Sequence, residues 1–156
     1  MQYTESKIIG IAGVISVVVT FVMWCCKSLV THRFNGQEPN YSFLMSVYKK
    51  ENAANLRTAM DSMWNQTIPT NDFVLVCDGP LTIELDTVID EMIQAHGKYL
   101  NVVRLKENKD LGYALNVGIE HCKNALVARM DSDDISFPNR FEKQLSVFTS
   151  MPEISI

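Results

Sequence analysis

No run of lysine or arginine in this sequence is longer than the pair Lys49 and Lys50, and the net charge is −4. A general nucleic-acid binder neutralises phosphates with a basic surface, so that class is set aside and no nucleic-acid partner is expected. Cysteine is sparse too. Cys25 and Cys26 are adjacent, Cys77 and Cys122 stand alone, and no metal-ligand spacing joins them. Reduced thiols are expected rather than a disulfide framework. The histidines, His32, His96 and His121, are scattered without ligand spacing. The phosphate-cradling patterns GxxxxGK(S/T) and GxGxxG and the nucleophile elbow GxSxG are all missing, which removes the common P-loop, dinucleotide and serine-hydrolase readings.

Charge is absent altogether from Ile8 to Cys26, "IIGIAGVISVVVTFVMWCC". As a helix this run covers about 28 Å, close to a bilayer's hydrocarbon thickness. A single membrane anchor at residues 1–27 is the leading reading, with a cleaved signal peptide and a buried core segment as rivals. Against the signal peptide, Glu5 offsets Lys7, and the run ends in Met23, Trp24, Cys25 and Cys26 rather than in small residues. Lys27, His32 and Arg33 follow the run, so the positive-inside tendency places the remainder in the cytoplasm. Residues 28–40, carrying Gly36 and Pro39 and no apolar periodicity, read as a linker.

From Tyr41 the pattern changes to short apolar runs alternating with helical periodicity. "YSFLMSVY" suits a buried strand, and Leu56, Ala59, Met60, Met63 and Trp64 then recur at helical spacing, with Asn52 or Glu51 placed to cap the helix. "FVLVCDG" is a second strand ending in a turn. Ile83, Val88, Ile89, Met92 and Ile93 mark a second helical face closed by Gly97. "LNVVRLKEN", "LGYALNVGIEHC" and "ALVARMD" continue as strand, helix and strand, and a last helical stretch begins at Pro138. This βαβαβαβα order predicts a parallel sheet with helices on both faces, with residues 41–156 as its domain. In such sheets ligands bind beyond the carboxyl ends of the strands, where Asp78 and Asp131 fall. The final "MPEISI" reads as the approach to another strand.

Asp131, Asp133 and Asp134 lie close enough to place two carboxylates around one hard cation. Mg²⁺ or Mn²⁺ takes oxygen ligands and completes its shell with water and substrate phosphates, so the cluster suits a diphosphate. Alone, "DSDD" reads equally as a solvated loop. An EF-hand is excluded, because its sixth position is Ser136 rather than Gly. An aspartyl phosphotransferase would want a small hydroxyl residue where Ile135 stands. Asp78 before Gly79 and Pro80 is either a turn acid or a ligand-binding one. Tyr48 offers an aromatic face for stacking or a core contact.

Four blocks, "FLMSVYKKENAANLRTAMDSMWNQT", "FVLVCDGP", "LGYALNVGIEHC" and "LVARMDSDDISFPNRFEKQ", resemble in order and spacing the N-terminal half of family 2 glycosyltransferases, which have the GT-A fold. Within that family the sequence looks like bacterial enzymes that assemble exopolysaccharide and other surface glycans. The resemblance implies a Rossmann-like GT-A sheet and transfer of a sugar from a nucleotide-sugar donor to a glycan or lipid-linked acceptor, with Mg²⁺ or Mn²⁺. It implies that Val47 and Tyr48 pack on the base with Glu51 beside it, and that Asp78 hydrogen-bonds the base. Leu111, Gly112 and Asn116 would lie near nucleotide and sugar. Asp131 would face the ribose or sugar and Asp133 the metal, with Asp134 assisting, so all three acids are candidate metal ligands. Pro138 and Arg140 are structural on this reading, Arg140 pairing an acid. The general base is expected beyond Ile156. A non-catalytic module that binds a nucleotide sugar or a partner chain is the alternative.

Overall fold

The computed structural model describes residues 40–151. The expected anchor at 1–27 and nearly all of the linker lie outside them. Among the described residues no helix is long and apolar enough to cross a membrane. Four strands, β1 (Tyr41–Val47), β2 (Phe73–Cys77), β3 (Leu100–Arg104) and β4 (Leu126–Arg129), alternate with four helices, α1 (Ala53–Trp64), α2 (Ile83–His96), α3 (Leu111–His121) and α4 (Arg140–Ser150). The expected alternation is observed throughout the described residues, and the further strand expected at "MPEISI" lies outside them but for Met151.

The starts of α1, α2 and α3 follow the capping chemistry, whereas Asn139 before α4 makes no side-chain cap. Of the two capping candidates, Asn52 caps α1, its side chain accepting the Ala54 N–H at 2.8 Å. Thr82 caps α2, whose first turn carries Glu84 and Asp86 at the positive end of the helix dipole. In α1, Leu56, Ala59, Met60 and Met63 form the buried stripe at i, i+3, i+4 and i+7. In α2 the same spacing selects Leu85, Val88, Ile89 and Met92. Ile83, expected on that face, is 82% exposed, because it lies two residues from Leu85 and therefore on nearly the opposite side of the helix.

The sheet order is β3-β2-β1-β4 with every pair parallel, Val47 lying opposite Cys77 and Leu44 opposite Arg129. The chain winds outward from β1 to β3, then returns past β1 to place β4 on its other side. With right-handed crossovers this reversal moves the connecting helix to the other face. Two cores record it. On one face Phe43, Met45, Phe73 and Leu75 pack with the stripes of α1 and α2 and with Phe141 and Leu145 of α4. On the other, Leu44, Val74, Val76 and Val127 pack under Ala114 of α3. Each fully buried Phe, Leu or Met contributes about 1.5–3 kcal/mol. Gly118 lets α3 approach closely, since a Cβ there would stand 2.4 Å from Leu44 Cδ1 and 2.9 Å from Val76 Cγ2. Aromatic pairs, Tyr41 stacked on Phe141 and Phe43 edge-on to Phe73, tie β1 to α4 and β2.

Candidate functional site

The loops after β1, β2 and β4 meet at the carboxyl ends of the central strands. Val47, the last residue of β1, shares the face of Phe43 and Met45 and is buried in their core. Its side chain is therefore a core group, and its carbonyl accepts the Asp78 N–H at 2.8 Å. Tyr48, one residue on, is 43% exposed and presents its ring to solvent. A tight turn follows, closed by Glu51 N–H to Tyr48 O at 3.0 Å. Glu51 then works in two directions. Oε1 accepts the Asn52 N–H at 2.7 Å, and Oε2 accepts the Ser132 hydroxyl at 3.1 Å, across 81 residues of chain. Ser132 is buried, so this bond fastens the β1 loop to the β4 loop.

After β2, Asp78 is buried and both carboxylate oxygens are engaged. Oδ1 accepts the Lys109 N–H at 2.9 Å and Oδ2 the Asn108 amide at 2.8 Å. Gly79 has a φ of +86°, and a Cβ there would stand 2.6 Å from the Asn108 nitrogen. Asp78 and Gly79 thus clasp the loop that leads into α3. A carboxylate has about four lone-pair sites, so two donors leave acceptor capacity for a ligand. The loop ends in Asp110, which at φ 82° holds a conformation costing about 1–3 kcal/mol for a non-glycine residue, and caps α3 by accepting the Tyr113 N–H. Leu111 and Tyr113 are exposed at this helix start. Gly112 and Asn116, four residues apart, share an exposed stripe of α3. The clasp brings the helix start beside Asp78, while no hydrogen bond ties Asn116 to it.

After β4 the acids are crowded. Arg129 ends the strand and is buried, and its guanidinium pairs with Oδ1 of Asp131. The Asp134 N–H turns back to the Asp131 carbonyl at 3.3 Å, and Asp133 stands exposed between them. Burial, and then the charges of Asp131 and Asp133, hold the Asp134 pKa above its ordinary value, and Arg140 pulls it the other way. Arg140 is in turn lowered by burial and raised by Asp134. Arg140 and Asp134 thus feel each other's charge. The Pro138 carbonyl accepts the Thr67 N–H at 2.8 Å.

Among the described residues no group of three or more His, Cys, Asp or Glu side chains is arranged to hold a metal ion. The three acids do not form a protein-only cage. An oxygen-only donor set of one or two carboxylates still fits Mg²⁺ or Mn²⁺ shared with substrate phosphates, which is the usual way Mg²⁺ is held. Asp133, exposed, and the second oxygen of Asp131 are the groups that would hold it.

Sequence reasoning passed over Arg129, Ser132 and Asn108. A charged residue closing the apolar run "LVAR", two places before an acid, was the available signal for Arg129. Ser132 and Asn108 carried none, because their partners lie 81 and 30 residues away.

The family profile "Glycosyl transferase family 2" matches residues 42–156. This chain belongs to that family. It is 44% identical over 114 residues to the amylovoran biosynthesis glycosyltransferase AmsE of Erwinia amylovora, covering 73% of this chain and 42% of that protein. Over 120 residues it is 38% identical to the UDP-Gal:alpha-D-GlcNAc-diphosphoundecaprenol beta-1,3-galactosyltransferase of Escherichia coli, covering 76% and 42%. The chain thus spans about two fifths of the length of these relatives. Among solved structures, the mannosyltransferase PcManGT of Pyrobaculum calidifontis, in complex with GDP-Man and Mn²⁺, superposes with a TM-score of 0.63 at 18% identity, over 76% of this chain and 34% of that one. S. aureus TarS gives 0.63 at 19% identity, over 72% and 20%. At these identities the structures establish the shared GT-A fold.

Proposed function

We propose that the loops after β1, β2 and β4 bind a nucleotide-diphosphate sugar, UDP-linked, and serve metal-dependent transfer of the sugar to a glycan or lipid-linked acceptor in surface-polysaccharide synthesis. The carrying observation is the convergence of exposed Tyr48, buried Asp78 and the Asp131–Asp134 turn at the carboxyl ends of β1, β2 and β4, where a sheet of this winding binds ligands. Tyr48 stacks on the base and Asp78 accepts from it. Asp131 turns its second oxygen to the ribose and the cation, and Asp133 holds the Mg²⁺ or Mn²⁺ with it. The cation neutralises charge on the departing diphosphate. The relatives' names support the donor class, since one names UDP-Gal and two solved neighbours carry GDP-Man with Mn²⁺ and UDP-GlcNAc. The Ile8–Cys26 run anchors the protein in the membrane with the domain facing the cytoplasm.

The test is calorimetry of UDP and UDP-sugars on the full chain with and without Mn²⁺, together with assay of UDP release. Metal-dependent binding that Asp133→Ala abolishes, with release of UDP, supports the proposal. Metal-dependent binding that survives Asp133→Ala removes the assignment of the acid cluster. Binding without turnover favours the non-catalytic module.

A further inference from the structure

Resting on that reading, we propose that Arg129 is a positioning residue for the donor site: its ion pair with Asp131 fixes which carboxylate oxygen faces the ligand. Arg129 is the last residue of β4, opposite Leu44 in the register, and its side chain lies on the α3 face of the sheet with Leu44 and Val127. Only 7% of that side chain is exposed, against 36% for Asp131. Burying a guanidinium is unfavourable unless it is paired and hydrogen-bonded, so a fold that places one here gains something from the pairing. The gain is geometric. The guanidinium comes from below, from the strand end, and takes Oδ1. The Asp134 N–H holds the Asp131 carbonyl. With one oxygen and the main chain both fixed, χ1 and χ2 of Asp131 are set, and Oδ2 is left as the outward acceptor.

An exposed aspartate without such a partner samples several rotamers and loses that freedom when it binds. Arg129 removes this cost in advance, as supporting hydrogen bonds do for metal-ligating carboxylates generally. Lysine does not replace it, because the ammonium is a point charge without the planar fork that sets a carboxylate's orientation.

A double-mutant cycle isolates this coupling. Calorimetry of UDP in the presence of Mn²⁺ is run on the full chain and on Arg129→Met, Asp131→Asn and the double variant. Manganese electron paramagnetic resonance reports bound metal in each, and thermal melting checks the fold. Arg129→Met alone is expected to weaken Mn²⁺-UDP binding about tenfold, the scale of lost ligand support. In the Asp131→Asn background the same change is expected to alter affinity less than twofold. Arg129→Lys is expected to restore the melting temperature more than the affinity. Equal losses in both backgrounds overturn the inference, because Arg129 then acts on the ligand directly or through the fold. Affinity recovered in step with stability by Arg129→Lys overturns it too. Absence of nucleotide binding by the unmodified chain removes the donor-site reading and this inference with it, whereas additive losses in a chain that binds remove the inference alone.

Discussion

Both ends of this sheet carry acids, and they are treated in opposite ways. At the amino end, Asp72 precedes β2 and is wholly buried. Its Oδ2 accepts the Ser42 hydroxyl at 2.5 Å and the Lys123 N–H at 2.8 Å, and the Lys123 ammonium lies 3.2 Å from Oδ1. Ser42 in turn accepts the Asn124 N–H at 3.0 Å, and Thr70 accepts the Asp72 N–H at 3.0 Å. One carboxylate thus joins β1, β2 and the turn into β4. At the carboxyl end, Asp131, Asp133 and Asp134 crowd one another, and Asp110 and Gly79 hold positive φ. The amino end balances its carboxylate without a ligand, by hydrogen bonds at Oδ2 and an ion pair at Oδ1, whereas the carboxyl end sets like charges side by side and is left in deficit. Such a deficit is characteristic of binding sites, where groups are placed for a ligand rather than for stability.

The largest effect that sharpens this contrast is expected at the buried acid. Asp72→Ala leaves the Ser42 hydroxyl and the Lys123 N–H without their acceptor and is expected to cost about 3 kcal/mol. Urea unfolding would show this as a lower midpoint with unchanged slope. The two ends are about 20 Å apart along β2, so nucleotide affinity is expected to stay within twofold. An affinity loss that tracks the stability loss would break the division between the two ends. Gly79→Ala comes next, at about 2 kcal/mol. The added Cβ meets the Asn108 backbone at a φ that alanine rarely adopts. Here the pattern should invert, with nucleotide affinity falling further than stability does. Calorimetry beside urea unfolding separates the two cases.

How legible each end was follows from the range of its contacts. The fold was read from local signals. Apolar runs marked β1 to β4, the stripe Leu56, Ala59, Met60 and Met63 marked α1, and Asn52 stood ready as a cap. Asp78 and the acids after β4 were legible because each follows directly on an apolar strand. The clasp of Asp78 on Asn108 and Lys109, the latch of Ser132 on Glu51 and the bonds that tie Asp72 and Ser42 to each other and to the turn before β4 were not, since they join residues 30 to 82 positions apart. Val47 shows the same limit at a single residue. Its place at the strand tip was readable, but β1 is covered on both faces, so alternation did not reveal that its side chain turns into the core.

The smallest expected effect bears most directly on the deficit. Burial first, and then Asp131 and Asp133, hold the Asp134 pKa above its ordinary 3.8. A carboxyl that binds its proton more tightly in the folded chain than in the unfolded one makes ionisation unfavourable to folding. The cost is absent below pH 3.8, grows as the pH rises through the raised folded value, and is complete at neutral pH. Asp134→Asn is therefore expected to raise the melting temperature at neutral pH and to leave it unchanged below pH 3.8. The gain should stay under about 1 kcal/mol, because the side chain is only partly buried and solvent screens its interactions. Melting curves of the two proteins across this range check the sign. Destabilisation at neutral pH would mean that the attraction between Asp134 and Arg140 outweighs burial and like charge, and that the carboxyl end, like the amino end, is balanced without a ligand.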